Sequence, residues 1–240
     1  MNLVTEKWVP VITMDGKPDF AGLAQIFTEG KEIADLSVRP HERVALMRLF
    51  ICIAQAALDG PKDKDDWKTA PDKLPEAARE YLEKWKESFD LFDKEKPFLQ
   101  ISDIKSKNLT PISKLDFFLA TGNNTTMFDH AANGKEKRNI DVRNIPVMLL
   151  TFQCFSPGGG LPITSWDKIK TGQVGNPDAL CVTGGMYHTF LRRHNLLETI
   201  SLNLLPKTTV KSHYGMINKD DYWGKPVWEN WPRKPDDKKA

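Results

Sequence analysis

No stretch of this chain stays apolar long enough to cross a bilayer. The longest runs, around "LFICIAQAAL" and "VMLLTF", fall well short of the roughly 20 residues a spanning helix requires. The N-terminal "MNLVTEKWVPVITMDG" also lacks a basic stretch followed by an apolar core, so the expectation is a cytoplasmic protein with no membrane partner. Cysteine is scarce: Cys52, Cys154 and Cys181 are odd in number, widely spaced and set in apolar surroundings. They read as buried thiols in a reducing compartment, without a disulfide framework. Charge of one sign is lacking too, since 34 Lys and Arg against 32 Asp and Glu leave a formal +2. Any attraction to nucleic acid must then come from local patches.

Catalytic and cofactor signatures are equally thin. No glycine is followed by Lys-Ser/Thr ahead of a helix, and no spaced glycines follow a strand, so neither a phosphate-binding loop nor a dinucleotide fold is indicated. His188 and His194 are too far apart to face one ligand from a helix, and Cys154 and Cys181 lack a second Cys or His at metal-finger spacing. No metal or cofactor is expected. Carboxylates are mixed with lysines on helix faces and none forms an evident acid–base pair. A nucleophilic pair of Cys154 with His188 stays open on residue types, although Cys154 lies in an apolar helix where an inert thiol is the simpler reading. The overall expectation is a protein that is not an enzyme.

What is present has the composition of a globular protein, 40% apolar and 28% charged. Leu3, Val4, Trp8, Val9, Val11 and Ile12 alternate loosely before "MDGKP", which predicts a β-hairpin start with Pro10 at an edge or bulge. From Pro40, Val44, Leu46, Leu49, Phe50, Ile53 and Ala57 recur at helical spacing until "DGP". "PKDKDDWKTAPDK" from 61 to 73 reads as a charged surface loop. A second helix should follow, with Pro75 in its first turn and Ala78, Tyr81, Leu82, Trp85 and Phe89 as its buried stripe. Phe89, Phe92 and Phe98 read as aromatic anchors. "RNIDVRNIPVMLLTFQCF" predicts a helix that "SPGGGLP" ends, and "YHTFLRRHNLLETISLNLLP" from 187 to 206 predicts the last one. There is no internal repeat. The fold class that results is α+β, mainly helical with small β-hairpin or sheet elements and long loops.

Two segments interrupt this pattern. "ATGNNTTMFDHAANG", residues 120 to 134, is turn-forming throughout except for Phe128, which sits beside Asp129 and His130. An apolar wedge flanked by hydrogen-bonding groups is how proteins lever apart base steps from the minor groove, though the same residues also make an ordinary solvated loop. Gly158, Gly159 and Gly160, bracketed by Pro157 and Pro162, let backbone approach a partner closely; they serve equally as a helix stop. Lys105, Lys107 and Lys114, and the pair Arg192 and Arg193, are candidate phosphate contacts or ordinary solubilising charges. The seven tryptophans suit packing better than a base-stacking platform.

Taken in order, "MNLVTEKWVPV", "FDLFDKEKPFLQ", "LTPISKL", "ATGNNTTMFDH", the helix into "SPGGG" and "HNLLETISLNLLP…PVWE" resemble the N-terminal domain of the CasA family. CasA is the large subunit of the type I-E Cascade, a CRISPR RNA-guided DNA surveillance complex, and the resemblance runs to about Trp228. It implies one CasA-like N-terminal domain over 1–240, with the family's C-terminal four-helix bundle absent. It also implies a non-catalytic role and, as partners, double-stranded target DNA, the CRISPR RNA-bound backbone and small subunits, and a helicase–nuclease. By position, Phe128, Asp129 and His130, with Asn123 and Asn124 of the same loop, would read the protospacer-adjacent motif, and Gly158, Gly159 and Gly160 would contact the same duplex. Asp129 departs from what DNA favours, because a carboxylate is repelled by phosphate and accepts only from donors such as the guanine amino group. The readings left beside this one are a scaffold that binds only other Cascade subunits, and a Cys-dependent hydrolase or nuclease.

Overall fold

The computed structural model describes residues 1–106, 109, 112–116, 139–156, 159–160, 164–166, 169–170, 175–176, 179–182, 186–214 and 224–230. The chain opens with β1 (Val9–Thr13) and β2 (Pro18–Ala21), an antiparallel hairpin whose turn places Gly16 at φ +81°, a conformation glycine adopts without steric cost. Helix α1 (Leu23–Thr28) follows, and β3 (Ile33–Leu36) returns to pair with β1 in the order β2-β1-β3. The hairpin expectation holds, but Pro10 lies in the central strand. It brings no N–H to the ladder; its carbonyl still accepts from Ser37 N at 2.9 Å, and a register shift at Ile12/Thr13 irregularises the β1–β3 side.

Helix α2 (Pro40–Ala57) has Pro40 in its first turn, and Glu42 reaches back to the Arg39 N–H at 2.9 Å. Its buried face, Leu46, Leu49, Phe50 and Ile53, is the one the spacing predicts. Asp59 and Gly60, both at positive φ, stop it. Helix α3 (Lys64–Lys84) corrects the expected surface loop at 61–73, because Asp63 caps it by accepting from the N–H groups of Asp65 and Asp66, each at 3.0 Å. Pro71 and Pro75 therefore sit inside the helix, on a backbone held by Ala70, Leu74, Ala78 and Leu82 against the core. Phe89 and Phe98 stack at 5.2 Å in that core, whereas Phe92 is exposed and anchors nothing.

The two-residue strand β4 (Lys105–Ser106) comes next, then helix α4 (Ile145–Phe155), with Pro146 in its first turn as expected. Beyond α4 the short strands β5 (Gly159–Gly160), β6 (Thr164–Trp166), β7 (Ile169–Lys170) and β8 (Gly175–Asn176) form two small antiparallel assemblies, β4-β6-β7 and β5-β8. Helix α5 is only Leu196–Leu202: Asn195 caps it by accepting from Glu198 N at 2.9 Å, and 187–194 run non-helically before it. A further helix, α6 (Lys207–Tyr214), follows where none was expected. The α+β class, mainly helical with small sheets, is the observed one. One apolar core unites α1, α2, α3, α4, α5 and the β2-β1-β3 sheet.

Candidate nucleic-acid interface

Helix α4 has Asp116 and residues 139–140 near its N-terminus and Gly159–Gly160 beyond its C-terminus. Its N-terminus follows a short 3₁₀ turn, Val142–Asn144, capped by Asp141, which accepts from Arg143 N at 3.0 Å. The Arg143 side chain, bonded to the same carboxylate, holds Asp141 down to about 2, and its guanidinium lies 4.6 Å from the Phe20 ring centroid. The described residues stop at Asp116 and resume at 139–140, and both points lie at this end of α4. Arg39 fastens the first of them, donating to Asp116 at 3.1 Å and to Glu42, which caps α2. A cavity of about 360 Å³ lies between the two points, with Arg39, Asp116, Ile140 and Asn144 in its wall. Sequence reading missed this anchor. The two ion-pair partners are 77 residues apart and no local pattern joins them.

The other end of α4 leads to the glycines. Ser156 closes the helix, and the carbonyls left over in its last turn find partners in the returning chain: Cys181 N donates to Cys154 O at 3.0 Å and Ala179 N to Ser156 O at 2.9 Å. Between these points Gly159 and Gly160 pair with Asn176 and Gly175, so the described glycines form a ladder beyond the helix end that Ser156 caps. The two ends of α4 stand apart by its length, roughly 16 Å at ~1.5 Å per residue. They are nevertheless linked, because β4 upstream of the 117–138 segment pairs with β6 in the glycine excursion, Lys105 opposite Ser165 and Ser106 opposite Thr164.

Of the residues singled out from sequence, Asn123, Asn124, Phe128, Asp129, His130 and Gly158 lie outside the described residues, as do Lys107 and the side chain of Lys114. Lys105 is exposed on β4. Arg192 is held by Asp35, which also binds Arg43, so one carboxylate is shared by two guanidinium groups and the cluster keeps a net positive charge. Trp8 and Trp228 are core residues whose indole N–H groups donate to Leu3 O at 2.9 Å and to the Tyr81 hydroxyl at 2.8 Å, so packing is their role. His188 contacts Cys181 O at 3.3 Å and the Phe155 ring edge-on. Burial, with the neighbouring Cys181 thiol, pushes the Cys154 thiol up to about 11, the reverse of what a nucleophile needs. Among the described residues no helix is long and apolar enough to cross a membrane, and no cluster of three or more His, Cys, Asp or Glu is placed to hold a metal ion.

The family model for CRISPR-associated protein Cse1 matches residues 2–240. The chain belongs to the CRISPR-associated Cse1, or CasA, family. A CasA/Cse1 protein of Thermus thermophilus is 33% identical over 232 residues, which cover 95% of this chain and 42% of that one. The solved structure of Thermus thermophilus CasA superposes with a TM-score of 0.68 at 28% identity, over 95% of this chain and 42% of that one. Cse1 of Acidimicrobium ferrooxidans gives 0.74 at 24% identity, over 98% and 43%, and a chain from a structure titled a CRISPR RNA-guided surveillance complex gives 0.66 at 19%, over 85% and 43%. At those identities the last two show a shared fold. The chain spans less than half the length of the CasA relatives it matches.

Proposed function

We propose that this chain is the DNA-facing portion of the large subunit of a cytoplasmic, type I-E CRISPR RNA-guided surveillance complex. In this reading it catalyses no reaction itself. It reads the protospacer-adjacent motif from the minor groove of double-stranded target DNA and helps start strand opening. Within the assembled complex it contacts the CRISPR RNA-bound backbone and small subunits and contributes to recruiting a helicase–nuclease. Asn123, Asn124, Phe128, Asp129 and His130 form one contact segment, and Gly158, Gly159 and Gly160 the other.

The observation that supports this reading most is the β4–β6 ladder, which couples the chain entering the first segment to the strand that follows the glycines. A reader of duplex edges needs its contacts held in register on a rigid body, and α4 with the Arg39–Asp116 pair supplies that base. Glycine backbone and a small apolar wedge suit the narrow minor groove, where A·T and T·A are barely distinguished, so several motifs should be tolerated. Long-sequence recognition is left to guide pairing, as in other RNA-guided effectors.

A scaffold role without DNA reading draws on a different observation. Leu180, Met186, Tyr187 and Leu191 are exposed, Tyr187 at 96%, and apolar surface of that kind suits contact with other subunits. The two readings part in a reconstituted complex binding targets with permitted and forbidden motifs. Phe128→Ala and Gly159→Asp should each shrink the preference for the permitted motif by roughly tenfold, the size of one good base-edge contact. Wild type and variants binding both targets equally would leave the scaffold.

A further inference from the structure

Two of the three cysteines, 27 positions apart in the chain, meet at the base of the glycine excursion. Cys154 is in the last turn of α4 and Cys181 is in the segment that returns to it, and Cys181 N donates to Cys154 O at 3.0 Å. A backbone hydrogen bond of that length holds two Cα atoms roughly 5–6 Å apart, inside the span a disulfide bridges without backbone movement. The two side chains are neighbours as well, since the Cys181 thiol helps to raise that of Cys154. Cys181 is buried and Cys154 half-buried, both are free, and the Arg48 guanidinium on α2 reaches the Cys154 sulfur.

We infer that Cys154 and Cys181 are a reversible redox pair that closes into an intrachain disulfide, tying the chain's exit from α4 to its return and so pinning both ends of the excursion that carries Gly159 and Gly160. With a peroxide as oxidant the balance is two thiols plus hydrogen peroxide giving one disulfide and two waters. The small fraction of Cys154 present as thiolate, beside Arg48, takes one peroxide oxygen to form a sulfenic acid; the O–O bond breaks and the departing hydroxide takes up the proton the thiol gave off, leaving as the first water. The Cys181 sulfur then attacks the Cys154 sulfur, and the sulfenic oxygen leaves as the second water with the Cys181 proton. Reduction by a small thiol reverses it by exchange through a mixed disulfide. Because the thiol of Cys154 is pushed up to about 11 by burial, closure is slow at neutral pH and is an equilibrium property more than a fast sensor. Cys52 sits apart on α2, its thiol likewise pushed to about 11 by burial, and serves as the internal control.

The experiment equilibrates the full chain in reduced and oxidised glutathione, quenches with acid, and locates the linkage by peptide mapping without reductant, once folded and once in urea. The expected result is a folded species lighter by two hydrogens, with Cys154 joined to Cys181 and Cys52 free. Its ratio of disulfide to dithiol should exceed that of the urea-unfolded chain by roughly tenfold or more, because the native contact supplies effective concentration. Cys181→Ala, which removes the partner thiol and keeps Cys154, should abolish the product and leave only a glutathione adduct. A folded ratio equal to or below the unfolded one, a bridge through Cys52, or dithiol persisting throughout would each overturn the pairing.

Discussion

Asp35 carries an electrostatic load that composition does not reveal. It lies on β3 and accepts from both guanidinium nitrogens of Arg43, while Arg192, 157 residues further on, bonds the same carboxylate. Burial works against its charge, but the hydrogen bonds from Arg43 and from the Leu36 N–H, with the positive charges of Arg43 and Arg192, outweigh it and hold the carboxyl below 3.8. A folded-state value depressed below the unfolded one means the stabilisation is present above 3.8 and is lost as the pH falls through the lower, folded value. Asp35→Asn should therefore cost on the order of 1 kcal/mol at neutral pH, discounted for the solvent that reaches the site. The gap between variant and wild type in urea midpoints should close as the pH drops below 3.8; a gap that stays constant down to that acidity would mean that shape, and not charge, was lost. The same residue ties the Arg192 side chain to the body. The doublet Arg192–Arg193 reads as a basic patch in sequence, and only the fold brings Asp35 to it.

At the scale of elements, helices with uninterrupted apolar spacing were legible and helices begun by a polar cap were not. Val44, Leu46, Leu49, Phe50 and Ile53 mark α2 unambiguously, and Pro146 ahead of "VMLL" marks the start of α4. Helix α3 hides its first turns behind charge and two prolines. Only the Asp63 side chain, satisfying the amides of Asp65 and Asp66, makes Lys64 its first residue. Asp63→Ala should lower stability by about 1 kcal/mol in urea unfolding and reduce helical circular dichroism, the usual cost of losing such a cap. No change in either would mean the helix starts further along, as sequence spacing alone suggests. Helix α5 shows the opposite error. Phe190 and Leu191 extend a helical-looking pattern upstream, yet Asn195 caps the helix and Asn203 fastens the upstream segment, accepting from Leu191 N at 2.9 Å and donating to its carbonyl at 2.8 Å. The end of α4 near "SPGGGLP" was legible, but the ladder of Gly159 and Gly160 with Asn176 and Gly175 was not, because two-residue strands carry no periodicity. The Arg39–Asp116 anchor escaped for the same reason, being a tertiary contact with no local signature.

For the whole molecule the relevant quantity is how much local positive charge it can offer a polyanion. The formal charge is +2, and among the described residues several bases are already paired: Lys7 with Asp19, Lys17 with Asp15, Lys73 with Asp66, Arg79 with Glu76, Arg143 with Asp141 and Lys207 with Asp59. Each such pair adds little to stability, and each lowers the positive charge offered to DNA at its own place on the surface. A protein that neutralises Z phosphates releases counterions in proportion, and its observed affinity falls with salt at a slope of about −0.9Z. If duplex contact is confined to two short, mostly uncharged segments, the isolated chain should bind duplex weakly, in the non-specific range of about 10⁻⁴ M or poorer at physiological salt. The logarithmic slope should be shallow, of magnitude below roughly 3, when fluorescence anisotropy is followed across a salt series. Phe128→Ala should leave that slope unchanged, because the ring displaces no counterion, whereas it should erode motif preference in the assembled complex. A slope near −6 or steeper for the isolated chain would require an extended cationic face. DNA would then be held mainly by phosphate contacts across the body, and the two loops would lose their claim to be the reader.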